Sequence, residues 1–240
     1  VEGSIFENSG LRRIARELVH IVRRMRARLS RRSEGFASSE PLSRSGFDRG
    51  TPVDRYYIER FLAAHAEDIR GRVLEVGEDL YSGKFGKGRI DRQDTLHIDS
   101  SNAAATIVGD LGQPGLLPPR SFDCIILTQT LQYVFDLPAA LKQIRSSLRP
   151  GGVLLVTVPA IAPITPDDWQ DSFYWRFTEA SLKRLLMEVF DPAKVETSPL
   201  GNFYAAIAFL RGAAVQELEE RQLQAVMPEF AIVVAARATA

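Results

Sequence analysis

From Gly71 onward, short apolar runs alternate with amphipathic stretches. Runs at 72–76, 95–98, 105–108, 124–127 and 153–158 have the length and β-branched content of buried strands. Residues 137–148 carry a helical spacing that stops at Arg149-Pro150-Gly151-Gly152. The pattern continues as a helix over 178–189, a strand at 195–198, a helix over 203–220 and a last strand at 231–236. Strands alternating with helices predict an α/β domain with a mostly parallel sheet covered on both faces. Two elements precede it. Leu11, Ile14, Leu18, Val22, Met25 and Leu29 fall on one helical face. Thr51-Pro52 reads as a helix start, with Thr51 as cap and Asp54 in the first turn, and this helix is predicted to reach Ile69 with Tyr57, Phe61 and Leu62 turned inward. Residues 30–50, rich in Ser, Gly, Arg and Pro without periodicity, read as a linker. The chain therefore divides into a basic helix with its linker over 1–50 and the α/β domain over 51–240.

Charge sharpens that division. The 240 residues have a formal net charge of zero, so no overall field favours nucleic acid. Between Leu11 and Arg32, however, nine arginines face one glutamate. Packing of the apolar stripe on the domain or on a neighbouring chain is the plain reading of that helix, and a membrane surface is the other. The one cysteine, Cys124, lies in the apolar run Cys124-Ile125-Ile126-Leu127 and reads as a small buried hydrophobe. One cysteine excludes an internal disulfide and a multi-cysteine metal site, and His20, His65 and His97 are too scattered to suggest a metal site or a triad. No apolar run is long enough to span a bilayer and no leader pattern is visible, which gives a cytoplasmic expectation. The first residue is Val1, consistent with a piece of a longer protein.

Ligands of open α/β sheets bind at the carboxyl ends of the strands. The residues there are Gly77-Glu78-Asp79, Asp99, Asp110-Leu111 and Thr128-Gln129-Thr130. Carboxylates closing neighbouring strands suit a ligand that offers hydroxyls and an amino group, although each acid taken alone is equally well explained as a helix cap. Taken in order, these segments resemble the class I S-adenosylmethionine-dependent methyltransferases. Val73-Leu74-Glu75-Val76-Gly77 is similar to their first motif. His97-Ile98-Asp99 is similar to the second strand, and Gly109-Asp110-Leu111 to the stretch that contacts adenine. Ser121–Val134 is similar to the fourth-strand motif, and Leu148-Arg149-Pro150-Gly151-Gly152 to the turn before strand five.

The resemblance implies a Rossmann-like seven-stranded sheet of order 3-2-1-4-5-7-6 with the last strand antiparallel. It implies S-adenosylmethionine as cofactor, with Asp99 on the ribose, Asp110 and Leu111 near the adenine, and Glu75, Gly77, Asp79, Tyr81, Thr128 and Gln129 completing the cofactor site. Asp79 and Tyr81 replace two glycines of the usual Gly-x-Gly-x-Gly turn, and two readings follow. In one the turn takes another path, Asp79 binding the cofactor's amino group, the Tyr81 ring covering it, and Gly83 and Gly86 giving flexibility; in the other the domain binds no cofactor. Tyr133, Asp168 and Arg176 are the candidate catalytic or acceptor-pocket residues, beside Asp167 and Asp171. Trp169 and Trp175 offer stacking surfaces for a sugar ring, with packing as the plainer alternative. His97, inside a strand, is expected in the core. The stretch Tyr174-Trp175-Arg176-Phe177-Thr178 to Gly201-Asn202 resembles a branch associated with bacterial glycosyltransferases and polysaccharide biosynthesis. That implies O-methylation of a glycan or glycan precursor, with a glycosyltransferase as partner or fusion. The alternative is a non-catalytic module of the same fold that docks a glycosyltransferase or another partner; the basic helix at 11–29 is the candidate docking element in either case.

Overall fold

The computed structural model describes residues 38–164, 166 and 169–240. The predicted basic helix at 11–29, Asp167 and Asp168 lie outside the described residues. Seven strands form one sheet: β1 (Gly71–Val76), β2 (Ile90–His97), β3 (Ile107–Val108), β4 (Phe122–Thr128), β5 (Leu148–Pro159), β6 (Val195–Leu200) and β7 (Val233–Thr239). Their order is β3-β2-β1-β4-β5-β7-β6. β7 is antiparallel to both neighbours, and the other pairings are parallel. This is the topology the resemblance implied.

Side-chain alternation along each strand divides the core in two. Val73, Cys124, Ile126, Val153, Leu155 and Ala235 face α1 (Val53–Ala64), α2 (Leu80–Gly86) and α5 (Phe203–Leu210). Leu74, Ile125, Leu127, Leu154, Val156 and Val234 face α3 (Leu137–Ser147) and α4 (Glu179–Met187). Cys124 is fully buried, which pushes its thiol well above the ordinary range, so it is the structural residue the pattern suggested. The helix starts of α3 and α4 are capped as their sequences direct. The Asp136 carboxylate accepts from Ala139 N, and Thr178 and Ser181 form a reciprocal capping box.

Four expectations are corrected. Thr51 does not cap α1; its hydroxyl accepts from Gln216 Nε2 at 2.9 Å, and Pro52 precedes the helix while bridging to Ala214. α1 ends at Ala64, and a short 3-10 turn, Ala66–Asp68, carries the chain to Ile69. The helix predicted over 203–220 is broken after Leu210, because Gly212 adopts φ +69°. A 3-10 turn at Val215–Glu217 and α6 (Glu220–Leu223) follow. Finally, 38–50 is more than a linker: Leu42 N donates to Arg211 O at 2.8 Å, and Arg49 Nε to Glu217 Oε2 at 3.2 Å. Among the described residues no helix is long and apolar enough to cross a membrane.

Candidate functional site

Strand β1 delivers the chain to Gly77, where φ is +98° and a Cβ built on the backbone would meet nothing within 4 Å. The turn is open to a ligand at this point, and the left-handed φ favours glycine. Asn102 Nδ2, from the loop after β2, donates to Gly77 O at 2.8 Å and ties the two strand ends together. Glu75 does not face the opening. It shares a face with Val73, is 2% exposed, and its carboxylate accepts from Tyr81 N at 3.0 Å and Ser82 N at 2.7 Å. It therefore satisfies two of the unpaired amides at the start of α2. Burial raises its pKa above the usual carboxylate range despite those bonds.

Tyr81 corrects the sequence reading. Its ring is 5% exposed within the core on the α1 face, stacked on Phe85, and its hydroxyl accepts from Arg55 Nη1 at 3.1 Å. It covers no ligand site, because helix α2 begins at Leu80 and turns residue 81 inward. Gly83 and Gly86 lie within that helix, and a Cβ on Gly86 would collide with Ile90, so close packing explains this glycine. Asp79 precedes α2 without capping it and lines a polar recess with Gly77, Glu78, His97 and Asn102.

That recess adjoins a cleft of about 440 Å³ at the carboxyl ends of β1 to β4. Gly77, Asp110, Leu111 and Gln129, four of the residues expected at the cofactor, line it together with Ile98. His97 lines it as well and is not a core residue; its Nδ1 lies 3.1 Å from Asp99 Oδ1. Asp99 stands at the exposed margin, and hydrogen bonds from Ser101, then His97, hold its carboxyl below the usual range. Asp110 accepts from Gly112 N at 2.8 Å and retains capacity for further donors. Thr128 is absent from the lining; its carbonyl accepts from Thr130 Oγ1. Phe135, Trp169 and Tyr174 add an aromatic wall that includes Tyr133.

A second cavity, of about 370 Å³, lies on the other side of Gln129 and Tyr133, which line both. Asp54, Arg55, Gln132, Ile161, Phe173 and Phe209 belong to its wall. Burial raises the Asp54 carboxyl above its ordinary value, outweighing the Arg55 charge and the hydrogen bond from Arg55 N. Arg176 lines neither cavity. Its guanidinium donates twice to Ala162 O, at 3.0 and 2.9 Å, and lies over the Phe173 ring, so it braces the wall from outside. Trp175 donates from Nε1 to Val134 O at 3.0 Å, a packing role. Asp171 is exposed. Sequence reasoning missed Asp54, read only as first-turn support, together with Gln132 and Asn102. Only spatial neighbours reveal the last two.

The chain thus has an open α/β sheet with a ligand cleft at its switch point, the layout of a small-molecule-binding Rossmann-like domain. Residues 34–191 match the sequence profile of a methyltransferase domain, more than half of the chain, and the chain belongs to that family. Its fold is similar to the crystal structure of a SAM dependent methyltransferase from Archaeoglobus fulgidus. The two are 12% identical over 78% of this chain and 94% of that one, with a TM-score of 0.51. An S-adenosylmethionine dependent methyltransferase from Mesorhizobium loti is similar to the same degree, at 16% identity over 78% and 98% of the two chains and a TM-score of 0.51. No curated protein matches by sequence.

Proposed function

We propose that the chain transfers a methyl group from S-adenosylmethionine to a hydroxyl oxygen of a glycan or glycan precursor. One observation carries this reading: the strand-end cleft and the second cavity share Gln129 and Tyr133, so a donor and an acceptor would meet across two side chains. When bound, S-adenosylmethionine supplies an electrophilic methyl group on a cationic sulfur. The open turn at Gly77 would admit its methionine portion, and Asp79 in the adjoining recess would take the amino group. Asp99 would hold the ribose, with Asp110 and Leu111 at the adenine. These residue types fit a ligand that is cationic at one end and offers hydroxyl and amino donors at the other.

The protein's own part is to place the acceptor and receive its proton. Asp54 in the second cavity is the carboxylate suited to the proton, since burial makes it a stronger base than an exposed aspartate. Tyr133 positions the acceptor from the shared wall. Among the described residues no cluster of His, Cys, Asp and Glu could hold a metal ion, and this reading needs none. The test is mass spectrometry of methyl pyranosides incubated with the protein and S-adenosylmethionine. A gain of one methyl group on a hydroxyl oxygen is expected; no methylated pyranoside from a protein that binds S-adenosylhomocysteine would overturn the acceptor assignment.

A further inference from the structure

The second cavity has polar requirements that narrow what it takes. Gln132 is 3% exposed and lies in the cavity wall. Its Nε2 donates to Gln129 O at 2.8 Å, which fixes the orientation of the amide. Its backbone carbonyl accepts from Tyr174 N at 2.8 Å. Its Oε1 has no hydrogen-bond partner. A buried acceptor without a donor is destabilising, and a ligand's O–H or N–H would remove that penalty.

Gln129 carries the opposite need. Its Nε2 is buried without an acceptor, and its backbone sits at φ +48°, a region that non-glycine residues seldom adopt. The strained backbone is held by Gln129 N donating to Thr157 O at 2.8 Å and by the bond from Gln132. Strain of this kind persists where the surroundings over-determine it, commonly at ligand sites. Thr157 shares the α1 face of β5 with Val153 and Leu155, is fully buried, and its hydroxyl is also unpartnered.

One wall thus asks for a hydrogen-bond donor at Gln132 and an acceptor at Gln129. A carboxylate or phosphate only accepts, and an ammonium only donates; a hydroxyl does both. The remaining wall includes the rings of Tyr133, Phe173 and Phe209, surfaces suited to the C–H face of a saturated ring. On the methyltransferase reading above, on which this rests, we infer that the second cavity is the acceptor site and selects an uncharged, ring-shaped polyol, with Gln132 and Gln129 recognising its hydroxyls. Gln132 is a specificity-determining residue for the reaction. Arg44 and Arg55 stand against Asp54 in this wall, so the selection of an uncharged acceptor rests on the paired donor and acceptor needs of the two amides and not on a charge-balanced lining.

Saturation-transfer NMR on the full chain tests this, with methyl pyranosides, benzoate and benzylamine as probes and S-adenosylhomocysteine present. Binding of S-adenosylhomocysteine is measured separately by calorimetry. The wild type is expected to bind a pyranoside and neither charged probe. Gln132→Met should weaken pyranoside binding at least fivefold while leaving S-adenosylhomocysteine affinity within twofold. Ile161→Trp, which fills the lumen and leaves the amides intact, should do the same if Gln132→Met fails to fold. Pyranoside binding unchanged in the folded variants would overturn the location. Preference for a charged probe, or no pyranoside binding by a protein that binds S-adenosylhomocysteine, would overturn the acceptor class. No binding of S-adenosylhomocysteine would overturn the methyltransferase reading itself, and this inference with it.

Discussion

Glu75 and Tyr81 show how single residues can be legible in kind and misleading in place. The acid-hydrophobic-Gly pattern marks the strand end, but alternation with Val73 turns the Glu75 carboxylate toward α2, where it holds Tyr81 N and Ser82 N. Glu75→Ala would leave two buried amides unpaired and is expected to cost about 3 kcal/mol in denaturant unfolding. Glu75→Gln, keeping one acceptor oxygen, should lose less. Equal stability of the alanine variant and the wild type would show that this carboxylate does not hold the turn. The direction of Tyr81 was hidden because it depends on where α2 begins, and no local signal marks Leu80 as the first helical residue.

Asp54 separates function from stability. A proton acceptor must be ionised, so activity should rise with pH through a value above the ordinary 3.8 of this carboxyl, as burial dictates. Asp54→Asn is expected to lower kcat/KM by about 10²–10⁴ and to abolish that acid limb. For folding the sign is opposite. A raised folded pKa means that the native state holds the proton more tightly than the unfolded chain. The stability this gives is present below 3.8 and lost as pH rises through the raised value. Asp54→Asn should therefore be at least as stable as the wild type at neutral pH. An acid limb that survives in the variant would contradict the assigned role.

At the scale of elements, the apolar runs gave the central strands because β1, β4 and β5 are buried on both faces. β2 was the hardest to delimit. It begins at Ile90, seven residues before its end, with exposed Asp91 and Arg92 in its first half. That half is held electrostatically. Asp94, 1% exposed, accepts from Arg72 Nε at 2.7 Å, Thr106 Oγ1 at 3.1 Å and Arg92 Nη2 at 3.2 Å. Burial pushes the Asp94 carboxyl up, but these bonds and the Arg72 charge outweigh it and hold it below the usual value. Its stabilisation is present above 3.8 and is lost as pH falls through the depressed value. Asp94→Asn should destabilise by about 2 kcal/mol at neutral pH, with the gap to the wild type closing under acid. A gap that is constant with pH in urea titrations would contradict the ionic account.

Across the whole molecule, the sheet order could be anticipated from ordered motifs because each strand end carries a residue type tied to its position. The site was only half legible. The cleft draws on residues adjacent to those motifs, whereas the second cavity joins α1, β5, β7 and the loop after β5, which are distant in sequence. The same distance hid the packing of residues 42–50 on the C-terminal turns. There Gly212, at φ +69°, brings its backbone against that of Ser43. Gly212→Ala adds about 1–2 kcal/mol of backbone strain and a clash besides, and is expected to lower Tm and expose residues 42–50 to protease. An unchanged melting curve would contradict that contact.

On the function proposed above, the altered turn after β1 still serves a cofactor site, completed by Asp99 at the margin of the cleft. Calorimetric titration of S-adenosylhomocysteine into the wild type and Asp99→Ala tests it most directly. The wild type should bind with Kd below about 1 mM, and the variant at least about tenfold more weakly, a difference of about 1.4 kcal/mol. No binding by the wild type at millimolar concentration, or equal affinity in the two proteins, would contradict it.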